Sequence, residues 1–207
     1  MKQLKLNKKG EPLYGLILAG GKSSRMKTDK ALLEIHGQKQ SDYCGGLLKK
    51  FCAKVFISNR EDQSGRDEKT GYIQIHDTAP FVDIGPIGGI LSAMSAHPDA
   101  SWLVLAVDLP FVNEEVLRHL LGNRDLKKMA TAYISSSDGL PEPLCAVYER
   151  ASFAAMKDFL KAAKICPRKF LLTMGKDVKL LKQPVPDALC NLNTPEELYR
   201  LYPNLKI

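Results

Sequence analysis

Leu16-Ile17-Leu18-Ala19-Gly20-Gly21-Lys22-Ser23-Ser24-Arg25-Met26-Lys27-Thr28-Asp29-Lys30-Ala31-Leu32-Leu33 is the stretch whose reading decides the fold. The run from Leu13 to Ala19 is short and apolar and is closed by Gly20-Gly21, which predicts a buried strand delivering a loop to a sheet edge. Glycine lets backbone N–H groups approach an anion with no Cβ in the way, and Lys22, Arg25 and Lys30 supply charge to neutralise it. An ordinary strand-to-helix turn with exposed basic residues would be written with the same letters. Two known phosphate loops are excluded by spacing. A P-loop ending in Gly21-Lys22-Ser23 needs its first glycine where Leu16 stands, and the dinucleotide fingerprint needs three spaced glycines where only Gly20-Gly21 occurs.

Outward from this loop, apolar runs alternate with helical patterns. Strands are predicted at 54–58, 72–76, 102–107, 128–134, 144–148 and 178–181. Helices are predicted from Ser41, from Ile90 after a glycine-rich loop over 77–89, from Asn113 to Leu121, from Ser152 to Ala163, near Pro167, and from Thr194-Pro195-Glu196-Glu197. Ala31 to Ile35 reads as a short extended piece, and Glu61 to Thr70 as helix or loop. Alternation of this kind predicts βαβ units and a largely parallel sheet. In such sheets ligands bind beyond the carboxyl ends of the strands, which is where Gly20, Gly21, Asn59, Asp77 and Asp108 all fall.

Asp108 closes the most hydrophobic strand and precedes Leu109-Pro110; a carboxylate there facing polyphosphate needs a cation between them, so Asp108 is the expected Mg²⁺ ligand. Its alternative role, capping the next helix, is already filled by Asn113. Asp77 suits ribose hydroxyls, a base edge or a metal-bound water, and equally a turn-forming Asp; Asn59 suits a base or sugar, or an ordinary strand end. The histidines at 36, 76, 97 and 119 show no ligand spacing, and no nucleophile–base pattern supports covalent catalysis.

The 207 residues suffice for one α/β domain, expected over 13–207 after a flexible basic tail at 1–12. A net charge of +7 suits an anionic partner, yet the cations are scattered without interleaved aromatics, which favours a small anionic substrate over nucleic acid. Five cysteines without a C-x-x-C pair predict free thiols in a reducing cytoplasm, and no segment reaches the length of a membrane span.

The loop, Asp77 with GPIGGIL (85–91), AVDLPFV (106–112), EPLCAVY (142–148) and NLNTPEEL (191–198) occur in an order that resembles the MobA-like nucleotidyltransferases, nearest to their molybdenum cofactor guanylyltransferase branch. The resemblance implies a three-layer α/β/α, Rossmann-like fold of the nucleotide-diphospho-sugar transferase type. It implies transfer of GMP from GTP to the phosphate of molybdopterin or a related phosphorylated acceptor, with Mg²⁺ and release of pyrophosphate, and it admits cofactor-delivery proteins as partners. Carried over by position, Leu18, Ala19, Gly20 and Gly21 bind the guanine nucleotide, Arg25 and Lys30 the triphosphate, Asn59 and Asp77 the nucleoside, and Asp108 the metal. Asn191 and Asn193 match asparagines near the pterin or metal site, and Arg168 and Lys169 are expected acceptor contacts. CTP-using relatives usually carry alanine where Gly20 stands, which leans toward GTP. Two positions depart from the pattern: Lys27 replaces a usual glycine, and Glu142 a usual neutral polar residue. The alternatives are a CTP-using or other-acceptor transferase of the same fold, and a nucleotide-binding partner without turnover.

Overall fold

In the computed structural model, residues 11–20, 30–59 and 71–191 are described, so Gly21, Arg25, Lys27, Asn193, the 61–70 segment and the helix expected from Thr194 lie outside the described residues. Seven strands form one sheet: β1 (Leu13–Leu18), β2 (Lys54–Asn59), β3 (Ile73–His76), β4 (Ser101–Ala106), β5 (Ala130–Ile134), β6 (Pro141–Tyr148) and β7 (Val178–Leu181). Their order is β3-β2-β1-β4-β6-β5-β7. All pairings are parallel except those of β6, which runs against both β4 and β5.

Five α-helices accompany the sheet among the described residues: α1 (Gln40–Lys49), α2 (Pro86–Ala96), α3 (Glu114–Gly122), α4 (Ser152–Lys161) and α5 (Pro167–Met174). The period-2 alternation of a strand sends successive side chains to opposite faces, and here both faces are covered. Leu13 and Ile17 of β1 with Leu103 and Leu105 of β4 pack under α1 and α3; Leu16 and Leu18 of β1 with Trp102 and Val104 of β4 pack under α2, α4 and α5. The result is the expected three-layer α/β/α arrangement. Each such side chain taken fully out of water contributes about 1.5–3 kcal/mol. At the end of the sheet away from the strand carboxyl termini, Arg124 grips Glu149 through two hydrogen bonds of 2.6 and 2.7 Å, and Ser101 Oγ donates to the same carboxylate at 2.8 Å. The buried charge is thereby paired, as burial requires.

Three elements differ from the sequence-based expectation by more than a residue or two or in kind. Lys30–Leu32 is a 3₁₀ turn rather than an extended piece, and only Glu34 bridges to Lys39. Apolar letters at Ala31, Leu33 and Ile35 do alternate, but those side chains are buried from a turn rather than from a strand. Second, β6 starts at Pro141, three residues before the expected Leu144. Third, α2 starts at Pro86, with Gly85 (φ 74°) before it and proline in the first turn, instead of at Ile90. The glycines that suggested a loop are inside this helix: a Cβ on Gly88 would sit 2.3 Å from the Phe81 carbonyl oxygen, and one on Gly89 2.4 Å from Ser58 Oγ. They are there for close approach. Glu11 and Pro12 already belong to the fold, since Ser101 N–H donates to the Pro12 carbonyl at 3.0 Å. Gly88→Ala is expected to cost about 1–3 kcal/mol, because the obstructing atom is backbone and cannot rotate away; chemical denaturation of wild type and variant measures it.

Candidate active site

The cleft lies where the strand register ends. Ala19 N–H donates to the Ser58 carbonyl at 2.9 Å and Val107 N–H to the Leu18 carbonyl at 3.2 Å, so the ladder holds the chain for one residue past β1 and β4. Beyond this point a cleft of about 510 Å³ opens, lined by Leu18, Ala19, Gly20, Lys30, Asn59, Asp77 and Asp108 among others. Residues from four strand ends and the 3₁₀ turn thus meet at one cleft; Gly21 and Arg25 fall outside the described residues.

Three carboxyl groups give the site its character. Asp108 is pushed up from the ordinary carboxylate range by burial, with Lys30 opposing that shift. Its Oδ1 is sealed from solvent and accepts no hydrogen bond among the described residues. Asp77 is also pushed up by burial, and by the nearby Asp83, with His76 opposing. Its carboxylate lies against the first turn of α2, since a Cβ on Gly88 would come within 3.1 Å of Asp77 Oδ2. Thr78 N–H donates to Ser92 Oγ at 3.1 Å and fixes the chain just after Asp77. Asp83 lines the cleft but escaped sequence reasoning. It sits at φ 58°, a left-handed conformation that aspartate tolerates better than most residues, and the Asp-Ile-Gly-Pro turn was the available signal.

On the far wall, Leu144 lines the cleft and Glu142, two residues before it on β6, is almost wholly buried. Burial pushes Glu142 up; the Leu144 N–H, donating at 3.0 Å, and Arg168 oppose this, while Asp108 adds to it. Arg168 Nη2 donates to Glu142 at 3.2 Å and Nη1 to Asp138 at 2.7 Å, so Arg168 is held between two carboxylates beside the cleft. Lys169 on the next position of α5 and Asn191 are exposed. Neither lines the cleft.

A single enclosed carboxylate with an unused oxygen fits Mg²⁺, which takes one or two protein carboxylates and keeps water and phosphate oxygens for its other positions. No cluster of three metal-binding side chains occurs among the described residues, so an all-protein cage is not what these side chains build. Nor is any described helix long and apolar enough to cross a membrane.

Several solved structures share this fold. One is a nucleotidyl transferase from Methanothermobacter, with TM-score 0.72 and 17% identity, covering 91% of this chain and 95% of that one. Another is molybdopterin-guanine dinucleotide biosynthesis protein A from Archaeoglobus fulgidus, with TM-score 0.68 and 23% identity, covering 90% and 95%. At these identities the likeness concerns the fold. Residues 15–178 match the family model described as the MobA-like NTP transferase domain, and the chain belongs to that family. It is 36% identical over 189 residues to the molybdenum cofactor biosynthesis bifunctional protein of Synechocystis, an alignment covering 90% of this chain but 52% of that protein, so this chain spans about half its length. To the "probable molybdenum cofactor guanylyltransferase" of Pelotomaculum thermopropionicum it is 29% identical over 191 residues, covering 90% of each.

The raised Asp108 makes stability depend on pH in a definite direction. The native carboxyl keeps its proton to higher pH than the unfolded chain, so from about pH 4 upward, until the raised native value is passed, the folded state binds more protons and loses stability as pH rises. Asparagine cannot ionise. Thermal melts in chelator-containing buffer should therefore show Asp108→Asn at least as stable as wild type near pH 4, with an advantage that grows toward neutral pH.

Proposed function

We propose that this protein transfers GMP from GTP to the phosphate of molybdopterin or a closely related phosphorylated acceptor, releasing pyrophosphate, with Mg²⁺ bound at Asp108. The observation that carries the reading is the joining, in one cleft, of the backbone at Leu18 to Gly20, the Lys30 ammonium and the enclosed Asp108 carboxylate. Family membership and the names of the relatives support the class of reaction and the acceptor.

In this reading the backbone of Leu18, Ala19 and Gly20 holds the nucleotide where no Cβ of Gly20 intervenes, while Asn59 and Asp77 hold the nucleoside at the ends of β2 and β3. Gly20, where CTP-using members of the family usually carry alanine, favours GTP. Lys30 faces the phosphates and Asp108 holds the metal, which supplies charge neutralisation and polarisation of phosphate oxygens when bound. The acceptor's phosphate oxygen attacks the α-phosphorus of GTP; a P–O bond forms there, the bond from the α-phosphorus to the bridging oxygen breaks, and the electron pair leaves with pyrophosphate. That acceptor oxygen is already ionised, so no side chain has to take a proton, and the reaction does not call for the nucleophile–base pattern that the sequence lacks. Positioning and charge neutralisation carry the reaction, as in other phosphoryl-group transfers. Arg168, held by Glu142 and Asp138, stands on the wall where the acceptor would enter. The five cysteines are unpaired with one another, which suits a reducing cytoplasm.

Pyrophosphate release measured with GTP, CTP, UTP and ATP, with and without molybdopterin, tests the reading. Release is expected with GTP and acceptor together; release only with CTP would move the substrate to the cytidine nucleotide, and none with any pair would leave a nucleotide-binding protein without turnover. Asp108→Ala should lower kcat by at least about a hundredfold with the circular dichroism spectrum unchanged. Lys30→Ala should raise the KM for nucleoside triphosphate more than the KM for the acceptor, as steady-state kinetics in both substrates will resolve.

A further inference from the structure

The segment between Lys30 and α1 folds back on itself. Gln40 N–H donates to the Leu33 carbonyl at 2.8 Å, Glu34 bridges to Lys39, and Gly37 at φ 68° makes the tip. Lys30 stands at the base of this lobe and His36 beside its tip. His36 Nε2 donates to the Pro110 carbonyl at 2.8 Å, and its ring stacks on Tyr43 with centroids 3.9 Å apart and planes 21° from parallel. Tyr43 OH in turn donates to the Val112 carbonyl at 3.1 Å. Both gripped carbonyls belong to the short stretch that follows Asp108. That stretch also carries turn hydrogen bonds from Leu109 N–H to the Ala106 carbonyl and from Val112 N–H to the Leu109 carbonyl, at 3.4 and 3.3 Å.

We propose that His36 and Tyr43 are positioning residues that brace the Asp108 loop against the Lys30 lobe and so set Asp108 and Lys30 opposite each other in the cleft; the catalytic consequence rests on the nucleotidyl-transfer reading given above. The sheet alone cannot do this. The ladder holds the chain as far as Val107, but Asp108 is one residue beyond that hold, and Lys30 is on no strand. One stacked pair holding two carbonyls of one loop restrains that loop at two points. The ring stack also restrains His36, whose rotamer would otherwise be lost to solvent at an exposed tip. Neither side chain lines the cleft, so both act through Asp108 and Lys30 rather than on substrate.

Two measurements on the full chain test the brace, using His36→Ala, His36→Gln and Tyr43→Phe. Hydrogen–deuterium exchange read by mass spectrometry should show the 108–112 amides exchanging faster in His36→Ala than in wild type, with β1 and β4 unchanged. His36→Gln, whose amide can still donate to Pro110, should recover much of that protection. This readout needs no turnover, and equal exchange in all proteins overturns the brace whatever the reaction is. In the pyrophosphate assay with GTP, molybdopterin and Mg²⁺, His36→Ala should lower kcat/KM by about ten- to a hundredfold and raise the apparent Mg²⁺ requirement, with His36→Gln intermediate. Combining His36→Ala with Tyr43→Phe should cost less than the product of the single losses, since both release one loop. An active wild type with full activity in His36→Ala, or with Gln no better than Ala, overturns the positioning role while leaving the proposed reaction standing. An inactive wild type counts against the reaction and leaves exchange to decide the brace.

Discussion

Burial of β1 on both faces is the constraint on which the rest of the structure depends. Leu13 and Ile17 belong to one core and Leu16 and Leu18 to the other, so a one-residue slip of this strand would exchange the two sets and misplace every side chain that either core needs. The register is therefore tightly specified by packing. The backbone bonds from Ala19 to Ser58 and from Val107 to Leu18 carry that register one residue beyond the strands, to the rim where Gly20, Asn59 and Asp108 stand. Precision at the cleft is thus inherited from apolar packing several ångströms below it.

The cleft sets buried acid against sparse base. Asp77, Asp108 and Glu142 are all pushed up by desolvation, opposed by His76 at Asp77, by Lys30 at Asp108 and by Arg168 at Glu142. Such an arrangement costs stability in the free protein and is relieved by a ligand that carries cationic charge to the carboxylates and anionic charge to the lysine. A metal-bound polyphosphate does both. Apolar surroundings strengthen each of these attractions relative to water, because the local dielectric is low.

Much of this was legible from residues alone. β1 and β4 are written as short apolar runs closed by glycine or aspartate, so the strands and the cleft positions at their ends, Gly20 and Asp108, could be placed together. Asn113 was readable as a cap, and its Oδ1 does accept from Val116 N–H at 3.1 Å. What was not legible is set by contacts distant in the chain. Gly88 and Gly89 look like loop glycines until Phe81 and Ser58 are seen pressed against them. The pairing of Arg168 with Glu142 spans 26 residues and depends on where α5 settles beside β6, which no local pattern encodes. The turn at Lys30–Leu32 misled because a short apolar run such as Ala31-Leu32-Leu33 serves equally for a strand and for a tight turn that buries Ala31.

The reversed direction of β6 divides the cleft into two unequal halves. Parallel neighbours β1, β2 and β4 are joined through long crossovers, so a length change near their rim ends disturbs strands on both sides. β6 instead reaches the rim directly from the turn over 135–140, and that turn is closed on itself by Ser135 N–H donating to the Leu140 carbonyl at 2.8 Å. Residues added or exchanged in it alter the wall that carries Asp138, Glu142 and Leu144 without touching the register of β1. A change at that hairpin reshapes the wall on the Arg168 side of the cleft while β1 and its register stay as they are.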